Sequence, residues 1–263
     1  MNLAGLLSAP SVAFAQMVAD APRVRLRQAV LVAAELEPVA AALRAALHLE
    51  EPFRDPGVGL FGLQNTVFAI GDCFLEIVSP TQADTAAGRQ LARQGGDGGY
   101  MVIFDVTDLE AVRERAAGLG VRVVWQVDLE DISATHMHPA DMRGTIVSLD
   151  RSEPYGSWRW GGPQWLGQVG SGPPGRLRGV ALAVAEPRVV AAHWAEVLGV
   201  DVGAGDGDGQ PLLVLDGAEV CFEPLAGRPE GLVEIAVETP HALPGGADSI
   251  DFGSLRLRRL AAP

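Results

Sequence analysis

Cysteine, positive charge and long apolar runs are all scarce in this chain. Its two cysteines, Cys73 and Cys221, stand far apart, form no CxxC pair and cannot build the disulfide framework that small secreted domains need. Free thiols in a reducing cytoplasm are the expectation. Lys and Arg total 20 against 33 Asp and Glu, a formal net charge of -13, and no basic cluster could follow a phosphate backbone. Nucleic acid is therefore excluded as a partner. Every apolar run is broken by charge, Gly or Pro before the roughly 18 residues a membrane span requires, so no membrane association is expected. The first residues, MNLAGLLSAPSVAFAQ, end in the small-x-small form of a signal-peptidase site at Ala13-Phe14-Ala15. They lack a basic n-region and are interrupted by Pro10, and Met17 offers an alternative start. A loosely held tail over 1–23 is the expectation.

What is present is 263 residues of 48% hydrophobic composition, enough for a large core in one big domain or two small ones. Internal similarity organises them. QAVLVAAEL (28–36) aligns without gaps with MVIFDVTDL (101–109), and GVALAVAE (179–186) is a third copy. Each copy is followed by a helical pattern of about three turns: EPVAAALRAALHL, EAVRERAAGLGV and PRVVAAHWAEVLGV.

Strand-like runs complete each unit. GVGLFGLQ, NTVFAI and CFLEIVSP follow the first helix; VRVVWQVDL, ATHMHP and TIVSLD, with a turn through ADMRG, follow the second. PLLVLD and AEVCFEP follow the third, and a fourth unit opens at GLVEIAVE with PHALPGGADSID where its helix should stand. The plan is a repeated βαβββ module, an α+β class. Two modules occupy 24–160, a Gly/Pro/Ser-rich linker covers 161–175, and a truncated second domain of the same type covers 176–263. RQGGDGGY (93–100) lacks the Lys-Ser/Thr of a P-loop and reads as a connection. GAGDGDG (203–209), with Asp206 and Asp208, lacks the Glu of a calcium loop and reads as a hairpin loop.

Paired βαβββ modules over nearly the whole chain resemble the vicinal-oxygen-chelate superfamily, which includes glyoxalases, methylmalonyl-CoA epimerase, extradiol dioxygenases and bleomycin-resistance proteins. The resemblance implies a curved-sheet cup. It places Gln28 and Met101 at the first-strand ligand positions of the two modules, and Glu76 and Ser148 at the last-strand positions. Only Glu76 is an unambiguous ligand type, because Met101 is a soft thioether and Ser148 a weak neutral oxygen. HPADMRGTIVSLD is also similar to the epimerase hairpin. In the truncated domain the corresponding positions hold Gly179, Val220 and Glu234, and no ligand set survives. That domain is expected to be structural, covering the first or forming a homodimer surface, with His193 and Trp194 on a packed helix face.

THMHP sets His136 and His138 on one strand face, about 7 Å apart. If that face meets the one carrying Ile146, Ser148 and Asp150, both imidazoles enter the cup opposite Glu76. His136, His138 and Glu76 then form a candidate site for one divalent ion (Zn, Fe, Mn or Ni), with Gln28 as a further donor. The alternative register puts both histidines outside. Glu76, among the apolar neighbours of FLEIVSP, is the candidate general base if it faces the cup, and an exposed strand carboxylate if it does not. His138 is its catalytic companion. Gln28, Met101, His136, Arg143, Ser148 and Asp150 are candidate substrate-binding residues. YGSWRWGGPQW reads as an aromatic lid, or as the place where Trp158, Trp160 and Trp165 pack the second domain on the first. Two functions stay open: a glyoxalase-like lyase, isomerase or dioxygenase acting on a small organic molecule, and metal-free binding or sequestration of bleomycin-resistance type.

Overall fold

A computed structural model describes residues 23–167, 172–205 and 209–262. The proposed tail before Arg23, and Asp206 and Asp208, lie outside the described residues.

The chain forms two seven-stranded sheets. The first is ordered β2-β3-β1-β4-β7-β6-β5, from β1 (Val24–Val32), β2 (Leu63–Ile70), β3 (Cys73–Pro80), β4 (Gly98–Val106), β5 (Val123–Asp128), β6 (Ile132–Met137) and β7 (Ile146–Ser152). The second is ordered β13-β14-β12-β8-β11-β10-β9, from β8 (Arg176–Val184), β9 (Val202–Ala204), β10 (Pro211–Val214), β11 (Glu219–Pro224), β12 (Gly231–Thr239), β13 (Ser249–Phe252) and β14 (Leu255–Ala261). In each sheet two first strands pair antiparallel at the centre, β1 with β4 and β8 with β12, and each is flanked by a parallel last strand. The α+β class and the repeated module are thus observed, with each sheet built from two modules.

The three expected helices are present. Helix α1 (Leu36–Leu47) buries Leu36, Ala40, Leu43 and Leu47, a spacing that keeps one face apolar, and ends where His48 turns left-handed at φ 53°. Helix α2 (Ala86–Gln94) joins the first two modules and was not foreseen; its mean hydropathy is low, and Thr85 caps it by accepting from Gly88 N–H at 2.9 Å. Helix α3 (Leu109–Gly118) is capped by Asp108, α4 (Pro139–Met142) is one short turn, and α5 (Pro187–Leu198) starts on Pro187 and stops at Gly199. Two further expectations need correction. GVGLFGLQ is not a strand: Pro56–Phe61 is a 3-10 helix, because Pro56 and the Asp55 cap set a helical start that Gly57 and Gly59 do not oppose. ADMRG is not a simple turn, since Pro139 begins α4 there.

One apolar core lies between the backs of the two sheets, filled by helices α1, α3 and α5. Trp194 is fully buried at its centre, edge-on to Phe104 at 6.1 Å and Phe222 at 5.4 Å, and donates to Met142 O at 2.6 Å. Trp158 and Trp165 do not join the sheets to each other; they pack with Phe74 on the inner face of the first sheet. Close approach of β4 to β12 requires Gly99, where a Cβ would meet Leu232 O at 2.1 Å. Cys73 and Cys221 are both free.

Candidate active site

The inner face of the first sheet encloses a cavity of about 770 Å³. All seven strands contribute to its walls, together with the 3-10 helix after Asp55 and the first turn of α2. Val30, Val67, Ile103, Val124, Trp125 and Phe61 make most of the lining apolar, so polar groups at its floor are poorly solvated.

Glu76 is the central one. Val30 lies opposite it on β1 and Val67 on β2, which sets its side chain on the inner face. Gln28 Nε2 donates to one carboxylate oxygen at 2.6 Å and Asn65 Nδ2 to the other at 2.7 Å. Both amides are themselves fixed: Trp158 Nε1 donates to Gln28 Oε1 at 2.8 Å, and Asp55 N–H donates to Asn65 Oδ1 at 2.8 Å. Burial raises the Glu76 pKa to about 7 against the opposing pull of the two amide donors. Asp150, across the cavity on β7, is raised to about 7 by burial in the same way, although Ser148 Oγ donates to one of its oxygens and Trp160 Nε1 to the other at 2.7 Å. Near neutrality both carboxyl groups hold mixed protonation states.

His136 pairs with Ser148 across β6 and β7 and lines the cavity, so the inward register is the one adopted. Its ring lies 4.5 Å from Trp125 and 5.8 Å from Phe61, and burial lowers its pKa to about 4, which keeps it neutral. His138 also borders the cavity, but its Nδ1 accepts from Ala140 N–H at 3.1 Å as the cap of α4. Gln28, Met101, His136 and Asp150 therefore line the cavity with Glu76, while Ser148 supports Asp150 from behind. Arg143 is elsewhere: at the end of α4, its guanidinium pairs at 3.3 Å with Glu186, the residue before α5.

A metal ion does not fit these residues. Among the described residues no three His, Cys, Asp or Glu side chains converge as ligands, so His136, His138 and Glu76 line one cavity without forming a cluster. Both ends of Gln28 are already hydrogen-bonded, and the remaining family positions offer a thioether and a hydroxyl held by Asp150.

Sequence reasoning missed Asn65, Tyr100, Trp125 and Arg89. Asn65 was readable as a polar residue in an apolar strand. Trp160 is half-buried in the cavity wall. Arg89 is exposed at the mouth, with Asp55 and Asp84 nearby, and donates to the Asp84 carbonyl at 2.7 Å.

Two curved sheets, each of two antiparallel modules, with an inward carboxylate on a last strand, define a protein of the vicinal-oxygen-chelate type. Residues 29–198 match the family described as glyoxalase-like domain, and the chain belongs to that family. Among solved structures, a hypothetical protein from Staphylococcus aureus superposes with TM-score 0.63 at 14% identity, covering 91% of this chain and 99% of that one. A mutant of 4-hydroxymandelate synthase from Streptomyces coelicolor gives TM-score 0.61 at 16% identity, covering 83% and 71%. Streptomyces coelicolor methylmalonyl-CoA epimerase, in complex with 2-nitronate-propionyl-CoA, gives 0.44 at 23% identity, covering 49% and 98%. No curated protein matches.

Proposed function

We propose that the first sheet binds a small, largely apolar organic molecule and that Glu76 moves a proton to and from one of its carbons without a metal ion. The observation carrying this reading is the Glu76 carboxylate itself. It is fixed by two amides at the floor of an apolar cavity and brought by burial to a pKa of about 7, where a proton-transfer group works best. Gln28 and Asn65 orient it, and Asp150 is the second titratable group, able to hold or return a proton on the opposite side. This is isomerase-type chemistry, with Arg89 at the mouth to meet an anionic substituent.

The test is deuterium incorporation, followed by mass spectrometry, into a panel of aryl and aliphatic ketones incubated with the protein in D2O. Exchange is expected in the parent and absent in Glu76→Gln. The apolar walls favour one other reading, metal-free sequestration. Tight binding of the same compounds, seen as quenching of Trp125 and Trp160 fluorescence, with no exchange at pH 8 would replace the first reading by the second.

A further inference from the structure

Regular alternation along β4 would turn Tyr100 outward and Met101 inward. Val30 pairs with Met101 and Leu31 with Gly99, so Tyr100 is the extra residue of a β-bulge and joins Met101 on the inner face. The other three first strands carry the same irregularity, and it leaves Arg27, Arg178 and Val233 as their extra residues. Each of those is engaged by neighbours within the fold, with only Nε of Arg27 left without a partner among the described residues. Arg27 donates to Gly156 O at 2.8 Å and lies over the rings of Phe74, Trp158 and Trp165; Arg178 donates to Glu238 at 2.7 Å; Val233 packs with Ala181 and Ala183.

Tyr100 differs from all three. It is 8% exposed and lines the cavity, and among the described residues no group hydrogen-bonds its hydroxyl. Its backbone is held in place: Thr145 Oγ donates to the Tyr100 carbonyl at 2.9 Å, and Gln90 Nε2 to the Gly99 carbonyl at 3.2 Å. Burial, and then the charge of Glu76, push its phenol up to about 12, so at neutral pH it is a donor. The hydroxyl opens onto the cavity with no protein partner among the described residues, so its hydrogen bond is left for a ligand oxygen to take in place of water.

Resting on the proton-transfer reading of Glu76, we propose that Tyr100 donates a hydrogen bond to the carbonyl oxygen of an enolisable ketone or ester whose adjacent C–H Glu76 deprotonates. The C–H electron pair becomes a C=C bond, the proton goes to the Glu76 carboxylate, and the carbonyl π pair moves onto oxygen. Tyr100 holds that oxyanion by hydrogen bonding and keeps its own proton. Return of the proton from Glu76, or from Asp150 on the other side, restores the carbonyl. Phe61, Trp125 and neutral His136 would receive an apolar or aromatic body, which sets the substrate class as aryl or branched-alkyl carbonyl compounds.

Naphthalene and 2-naphthol test this, being alike in shape and differing in one oxygen. The parent is expected to bind 2-naphthol more tightly than naphthalene by tryptophan quenching, and Tyr100→Phe to reduce that preference about tenfold. A ratio of affinities cancels any general loss of packing. Tyr100→Phe should also lower kcat for ketone exchange more than it changes KM, as expected when a transition-state interaction is lost. An unchanged ratio in Tyr100→Phe overturns the assignment even if exchange persists. A Tyr100-dependent ratio in a protein that shows no exchange overturns the proton-transfer reading and leaves Tyr100 as donor to a ligand oxygen. A parent that binds neither probe overturns both.

Discussion

On the inner face of the first sheet the central strands present Gln28, Val30, Met101 and Ile103; at the same register positions the second sheet presents Gly179, Ala181, Glu234 and Ala236. The strands beside them extend the contrast. Glu76, opposite Val30, corresponds to Cys221, opposite Ala181, and Ser148, opposite Ile103, to Arg258, opposite Ala236. The register thus assigns Cys221, not Val220, to the position of Glu76. Gly and Ala cannot raise walls, and the polar side chains of the second sheet close on one another: Arg258 with Glu234 at 2.6 Å and Arg256 with Asp251 at 3.1 Å. Strand order alone therefore does not make a site. A cavity follows where large inner-face side chains are roofed by further segments, as Pro56–Phe61, α2 and the Trp158–Trp165 stretch roof the first sheet.

The sharpest break in this comparison is Glu76→Gln. It removes the buried carboxylate at the floor of the first sheet, and ketone exchange should fall at least 100-fold, with binding of 2-naphthol retained. Next is Trp194→Ala, which empties the contact shared by both sheets. Urea unfolding should show a loss of about 3–5 kcal/mol, because a fully buried indole leaves a cavity and strips Met142 O of its donor.

Stability against pH should distinguish the sheets as well. Glu76 and Asp150 have native pKa values of about 7, above their ordinary carboxyl values of 4.5 and 3.8. The native state therefore binds more protons than the unfolded chain between those limits, so stability is fully present below the ordinary values and is lost as pH rises through 7. Unfolding free energies from urea titrations at pH 4.5 and pH 8 should differ by about 3 kcal/mol per buried carboxyl, and Glu76→Gln should remove its own share of that difference. Arg89→Met should weaken 2-naphthoate binding roughly threefold and leave naphthalene unaffected, as expected for an exposed cation. The smallest effect belongs to Glu234→Gln in the second sheet. Its partly exposed ion pair should cost under about 1 kcal/mol, and no change in probe binding should accompany it.

The sequence alone determined the module. β-branched strands, three-turn helices and their repetition specify βαβββ units, and the family resemblance picked out Gln28, Met101, Glu76 and Ser148 within them. The period-2 alternation of TIVSLD also sufficed to join Ser148 and Asp150 to one face. Tertiary structure decided what alternation cannot. A bulge reverses the facing of every residue on one side of it, and whether a strand bulges depends on its partner's register, so Tyr100 was invisible in the sequence. Helix capping claimed His138, and an ion pair to Glu186 at the start of α5 claimed Arg143. Carboxylates became titratable near neutrality only through burial by segments distant in sequence. Proton affinity is set by the dielectric around a group, and that surrounding exists only once the chain has folded.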